Sequence, residues 1–266
     1  MDNKKPRRNS TVFVEDSNQQ HKSKKEIIST LIKKKTKDKF LSDSQKEYYE
    51  ILQNNQITIC SGPAGVGKSY IAMKAAVDLL ADPNNSYEKL IIVRPAVEAE
   101  EKLGSLPGNV EEKLDPYIFP SYYLLNKIIG KEAREKLKEI EAIEVFALAY
   151  MRGRTFKNCW IVADEMQNST VSQMKMLMTR LGENSRLVIT GDLEQYDRIN
   201  EINGLEDFLD KFKGKRSSSI TSVEFKKSDI QREEVVKEVL DIYGGDIPIC
   251  YTLEEQYDIS NSNDDI

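Results

Sequence analysis

Gly62-Pro63-Ala64-Gly65-Val66-Gly67-Lys68-Ser69 fits G-x-x-x-x-G-K-[ST], the pattern of a phosphate-binding loop. Gln56-Ile57-Thr58-Ile59-Cys60 before it is a short β-branched and apolar run, and Tyr70-Ile71-Ala72-Met73-Lys74-Ala75-Ala76-Val77 after it has helical composition. Strand, glycine-rich loop and helix in that order are the context the motif needs. The glycines let the backbone curl until successive N–H groups point at phosphate oxygens. The helix N-terminus adds the positive end of its dipole. In this reading Lys68 reaches the β- and γ-phosphates and the Ser69 hydroxyl holds Mg²⁺.

A phosphate loop alone does not say what happens to the nucleotide. Trp160-Ile161-Val162-Ala163 followed by Asp164-Glu165 predicts a buried strand delivering carboxylates to the C-terminal edge of a sheet, where ligands bind in open α/β folds. Standing alone the two acids would merely open a loop. With the phosphate loop about a hundred residues upstream, Asp164 is expected to hold Mg²⁺ and Glu165 to polarise the attacking water. Leu187-Val188-Ile189-Thr190-Gly191-Asp192 repeats the pattern, and Gln195 just beyond it would sense the γ-phosphate and orient water. Asp192 would add an outer contact. Gln45, 17 residues before Gly62, carries an amide able to pair with an adenine edge, although in isolation it is an ordinary helix residue.

Apolar strands alternate with helical segments along the chain, which predicts an α/β domain with a mainly parallel sheet covered on both faces. Strands are expected at Leu90–Val93, Ile143–Leu148, Cys159–Ala163, Arg186–Thr190 and Ile220–Phe225, and helices at Asp43–Leu52, Phe119–Ile129, Glu132–Ile140, Val171–Leu181, Gly204–Phe212 and Arg232–Tyr243. Residues 94 to 120, rich in Pro, Gly and Glu, read as a long irregular excursion. The Met174, Leu177, Met178 and Leu181 stripe reads as core packing.

The net charge of -5 is unevenly spread: 12 of the 39 Lys and Arg fall in residues 1–39. A basic arm on an acidic body suits nucleic acid, and suits a solvated tail equally well. Residues 1–40 are therefore expected to be a basic, disordered arm, 41–245 the folded domain, and 246–266 an acidic tail whose Glu254, Glu255, Asp258, Asp264 and Asp265 face no base after Thr252. No run approaches the ~18 apolar residues of a membrane span, and the N-terminus lacks a signal-peptide core. Cys60, Cys159 and Cys250 read as separate reduced thiols, implying a cytoplasmic setting. His21, the only histidine, lies in the polar arm and argues against histidine-based chemistry.

In order, Gln45, the phosphate loop, Arg94-Pro95-Ala96-Val97-Glu98, Tyr150-Met151-Arg152-Gly153-Arg154-Thr155, Asp164-Glu165-Met166-Gln167-Asn168 and Gly191-Asp192-x-x-Gln195 closely resemble the PhoH-like family, the phosphate-starvation-inducible ATPases. The match runs from about Leu41 to Tyr243. Met166 stands where that family usually has Ala, Asn203-Gly204-Leu205 replaces Ser-Gly-Leu, and Arg198-Ile199 stands where Leu-Pro is common. The resemblance implies a P-loop NTPase built as a single RecA-like domain, like the first such domain of superfamily 1 helicases. It implies ATP and Mg²⁺ as cofactors, with Gln45 and the run Gly62, Pro63, Ala64, Gly65, Val66, Gly67, Lys68, Ser69 and Tyr70 binding nucleotide and Ser69 and Asp164 binding the metal. It assigns catalysis to Lys68, Asp164, Glu165 and Gln195, with Arg94 and Arg232 as candidates for the γ-phosphate, the latter kind of charge sometimes coming from a neighbouring subunit. Arg152 and Arg154 would meet nucleotide or nucleic acid. Some relatives carry an N-terminal ribonuclease domain, for which forty residues are too few.

Three functions compete. The first is an ATPase coupled to single-stranded RNA or DNA, helicase-like and acting as a homo-oligomer, a ring being one way to supply the second RecA-like domain that strand separation needs. The second is a nucleotide-dependent switch or assembly factor acting on proteins, which suits the acidic body: only Tyr117, Phe119, Tyr122 and Tyr123 cluster as single-strand binders require. The third, a small-molecule kinase, is disfavoured because Glu165 beside Asp164 suits water activation.

Overall fold

Leu90-Ile91-Ile92-Val93 and Trp160-Ile161-Val162-Ala163 are apolar at every position because their strands are buried on both faces. The computed structural model describes residues 23–32, 40–95, 110–196 and 201–244. Among the described residues the strands are β1 (Ile57–Ser61), β2 (Lys89–Arg94), β3 (Ile143–Ala147), β4 (Cys159–Ala163), β5 (Arg186–Gly191) and β6 (Ile220–Glu224). They form one sheet in the order β3-β2-β4-β5-β1-β6, and every neighbouring pair is parallel. The expected two-sided α/β sheet is therefore observed. β5 is inserted between the loop-bearing β1 and the acid-bearing β4.

Among the described residues the helices are α1 (Lys24–Leu31), α2 (Asp43–Asn54), α3 (Lys68–Ala81), α4 (Val110–Ile129), α5 (Lys131–Glu139), α6 (Val171–Met178), α7 (Gly204–Phe212) and α8 (Glu234–Gly244). Alternate strand residues feed two cores. Leu90, Ile92, Trp160 and Val162 pack with residues of α1 to α5 on one face, and Ile91, Val93, Ile161 and Ala163 pack with α6 and α7 on the other. Met174 and Leu177 of the methionine-rich stripe are buried in the second core, with Met178 and Leu181 partly buried against it. Cys60 and Cys159 are free and buried in their strands. Burial pushes their thiols up to about 12 and about 11, so both stay protonated.

Two expectations need correction. The arm is not uniformly without structure: Ser23 and Glu26 close a capping box on α1, Ile28 is buried, and the Lys25 ammonium donates to the carbonyls of Leu80 and Tyr87. Its apolar Ile27, Ile28 and Leu31 give it one packable face, a signal that the surrounding lysines mask. The excursion after β2 is shorter than expected, because α4 begins at Val110 and runs through Pro116 and Pro120. Proline removes an amide donor and normally breaks a helix. Here Ser121, Leu125 and Ile128 are buried, which anchors the end of the helix beyond the prolines. Most of the basic arm with His21, residues 96–109, Arg198-Ile199 and the acidic tail with Cys250 lie outside the described residues.

Ile161 is fully buried between β2 and β5, so Ile161→Ala is expected to cost about 2–5 kcal/mol. Val235→Ala, on the exposed side of α8, should stay within about 0.5 kcal/mol. Urea unfolding of the two variants beside the parent checks both values.

Candidate active site

Three strands of the sheet end at one edge. β1 runs into the phosphate loop, β4 into Asp164-Glu165, and β5 into Gly191-Asp192. The loop curls through left-handed glycines: Gly65 at φ 87° and Gly67 at φ 93°, the latter capping α3. At both positions a side chain of the protein occupies the space a Cβ would fill. A Cβ at Gly65 would lie 2.9 Å from the Arg232 side chain, and one at Gly67 would lie 2.9 Å from the Gln45 amide nitrogen.

Ser69, in the first turn of α3, donates its hydroxyl to Asp164 Oδ1 at 2.5 Å. Thr190 Oγ1 donates to the same oxygen at 2.6 Å from β5. Asp164 is buried, and the Arg94 guanidinium lies 3.7 Å from its other oxygen and 3.4 Å from Glu165 Oε1. Glu165 stands in the left-handed region at φ 59°, ψ 36°, a conformation that costs a non-glycine residue about 1–3 kcal/mol. Gln167 holds it: Nε2 donates to Glu165 Oε2 at 2.8 Å, while its Oε1 accepts from the Asp192 amide at 3.1 Å. Burial first, and the neighbouring Asp164 carboxylate second, raise the Glu165 pKa above its ordinary value. The Gln167 hydrogen bond, Arg94 and Lys68 work against the rise.

These groups line a cleft of ≈ 630 Å³ that gathers Gln45, Ala64, Gly65, Gly67, Lys68, Ser69, Tyr70, Asp164, Glu165, Asp192, Gln195 and Arg232. Most of the expected site residues thus share one cavity. Lys68 Nζ donates to the carbonyls of Gly62 at 2.6 Å and Pro63 at 2.8 Å, so both residues serve the site through their backbone. Val66 is buried and its carbonyl accepts from Gln45 Nε2 at 2.9 Å, while Gln45 Oε1 accepts from the Leu41 amide at 2.9 Å. Gln45 is therefore a brace of the phosphate loop, and these two bonds use one of its N–H groups and one of its lone pairs. Arg94 pairs with the acids and is not among the cleft-lining side chains, and neither are Arg152 and Arg154. Arg232 reaches the loop of its own chain. Leu41, Leu124, Lys127 and Gln231 also line the cleft, and the sequence reading did not assign them. Lys127 comes from a helix 59 positions beyond the motif lysine, and no short-range pattern ties it to the loop.

A model of the family described as PhoH-like protein matches residues 38–244. The chain belongs to the PhoH-like family. It is 41% identical over 200 residues to the PhoH-like protein of Bacillus subtilis (strain 168), covering 75% of this chain and 61% of that one. It is 35% identical over 205 residues to Protein PhoH of Escherichia coli (strain K12), covering 76% and 57%. This PhoH-like chain thus spans about three-fifths of the length of those relatives. Among solved structures, the large terminase from a thermophilic bacteriophage aligns at a TM-score of 0.44 and 12% identity, over 76% of this chain and 50% of that one. A Bacteroides Pif1 bound to ssDNA aligns at 0.35 and 15%, over 77% and 46%.

Two departures from the family pattern have a physical role. Asn203 caps α7, its Oδ1 accepting from the amides of Leu205 at 3.0 Å and Glu206 at 3.2 Å, as a serine could. Met166 is fully buried in the second core, filling volume behind the acids.

A carboxylate whose pKa is raised on folding weakens the fold while it is ionised. That penalty is present above the raised pKa and disappears as the pH falls below the ordinary carboxyl range. Glu165→Gln is therefore expected to raise the melting temperature at pH 8, with the gain shrinking towards zero near pH 4. Thermal unfolding of both proteins across that range tests the direction.

Proposed function

We propose that this PhoH-like protein binds and hydrolyses ATP with Mg²⁺, and does so as a homo-oligomer coupled to single-stranded RNA or DNA. The observation that carries the ATPase reading is the 2.5 Å approach of Ser69 to Asp164 at the foot of the phosphate loop, with Glu165 beside them in the cleft. A hydroxyl and a carboxylate oxygen converging beside phosphate-facing amides form a hard-oxygen donor set that fits Mg²⁺. Ser69 and Asp164 would hold the ion, and Thr190 would fix the Asp164 oxygen that faces it. When bound, the ion supplies charge that offsets the β- and γ-phosphate oxygens.

The rest of the chemistry belongs to the chain. Loop amides from Gly65 to Ser69 cradle the phosphates, and the Lys68 ammonium turns from the Gly62 and Pro63 carbonyls to a phosphate oxygen. Glu165 takes a proton from water as the water oxygen bonds to the γ-phosphorus. The bond from that phosphorus to the β–γ bridging oxygen breaks, and ADP leaves with the electron pair. The raised pKa of Glu165 makes it a better base than an exposed carboxylate. Gln195 positions the water, Arg232 offsets charge on the γ-phosphate from within the same chain, and Arg94 holds both acids in place. The remaining N–H and lone pair of Gln45 suit an adenine edge. Coupling to nucleic acid is supported by the concentration of Lys and Arg in residues 1–39.

Steady-state ADP release by the parent and Glu165→Gln, each with and without single-stranded RNA, tests the reading. The variant should lose about 10²–10⁴-fold in kcat while binding a fluorescent ATP analogue as the parent does. A parent that binds ATP but never turns it over, RNA present or absent, would make the protein a nucleotide switch instead.

Because Arg232 packs on the loop of its own chain, mixing Arg232→Ala with Lys68→Ala should restore no activity. An arginine acting across a subunit boundary would recover a sizeable fraction of turnover in the mixture.

A further inference from the structure

α4 divides into two faces beyond Ile118. Ser121, Leu125 and Ile128 are buried, whereas Phe119 is 67% exposed and Tyr123 50% exposed. Phe119, Tyr123 and Lys127 follow at intervals of four, which places them in one line along the outer face. Exposed large aromatics in such a line are unusual on a surface that meets only water.

A cation accompanies the second of these rings. The Lys127 ammonium stands 4.7 Å from the centroid of Tyr123. α5 folds back beside α4 and sets Lys138 at 5.4 Å over the Tyr122 ring, where Arg134 also lies at 4.5 Å. Arg134 is buried and pairs with Glu135, so Lys127 and Lys138 are the exposed charges of the group. Tyr122 is partly buried against the first core beside this face, and α5 supplies its charge across a turn. Aromatic faces interleaved with exposed cations are the chemistry of single-strand binding: bases stack on the rings and lysines meet the phosphates. An aliphatic partner helix would need neither the rings nor the charges.

The line ends at the nucleotide cleft. Leu124 and Lys127 line the same cavity as Lys68, Asp164 and Glu165. We infer that the outer face of α4, with Phe119 and Tyr123 as stacking platforms and Lys127 at its inner end, takes single-stranded nucleic acid and senses nucleotide occupancy. This inference rests on the proposed coupling to nucleic acid and names the surface that performs it. A phosphate in the cleft competes with the Tyr123 ring for the Lys127 ammonium. Drawing Lys127 inward frees a face of Tyr123 for a base. By linkage, a strand stacked on Tyr123 alters nucleotide affinity by the same factor.

The test is fluorescence anisotropy of a fluorescein-labelled 20-mer of oligouridylate, and of its oligothymidylate counterpart, across a salt series with and without a non-hydrolysable ATP analogue. The parent should bind with an affinity that falls with salt and differs between the two nucleotide conditions. Losing one stacked base should weaken binding by roughly 5–150-fold, so Phe119→Ala/Tyr123→Ala, which removes both platforms, should weaken it by at least that much. Tyr123→Trp should bind as the parent does and lose indole fluorescence on adding the strand. Lys127→Ala should retain strand binding to within the loss of one charge and lose its dependence on the ATP analogue. Binding of the analogue and the melting temperature serve as controls that the double variant is folded. A parent that binds neither oligonucleotide overturns the nucleic-acid reading and this inference together. A parent that binds, with the double alanine variant unchanged, overturns the inference alone. A double variant that loses the strand and also its oligomeric state in light scattering makes α4 a contact between copies, and overturns it too.

Discussion

The parallel packing of β1, β5 and β4 is the constraint on which the site depends. β5 separates the strand that carries the phosphate loop from the strand that carries the acids, so two strand spacings, about 10 Å, lie between their ends. The gap is closed from above and below. Ser69 leans across from the first turn of α3, and Thr190 rises from β5, and both donate to one oxygen of Asp164. Without β5 in that place, Asp164 would lose a donor and the loop would meet the acids at a different distance.

Around this contact the fold accepts local costs that a purely structural turn would avoid. Glu165 adopts a left-handed backbone, and its carboxylate lies beside the buried Asp164 carboxylate. Arg94 and Gln167 stabilise the arrangement, one by charge and the other by hydrogen bonds that tie β4 to β5. Gln45 does similar work on the opposite wall, joining α2 to the loop through Val66. Strain and like charges held by dedicated partners are what a site that stabilises developing charge requires. Nothing in core packing calls for them.

The charge beside the α4 aromatics is assembled in three dimensions. Along the chain these aromatics stand among few bases, and the body is acidic. In space, α5 turns back and lays Lys138 and Arg134 over Tyr122, and Lys127 lies on Tyr123 one turn along. The helix itself was harder to read, because Pro116 and Pro120 carry a strong local signal against it.

The sequence by itself determined the sheet and the chemical inventory of the site. β1, β2, β4 and β5 are short apolar runs whose burial admits little else, and the phosphate loop, Asp164, Glu165 and Gln195 are tied to them by fixed short offsets. Those features are local, so local pattern reports them. Only the tertiary structure decided which polar groups hold one another: Thr190 on Asp164, Gln167 between Glu165 and Asp192, Gln45 on the loop, Arg232 against Gly65 and Lys127 at the cleft. Several of these contacts join residues on different elements, far apart in the chain. Their distances are set by strand order and helix packing, which no short window of sequence contains.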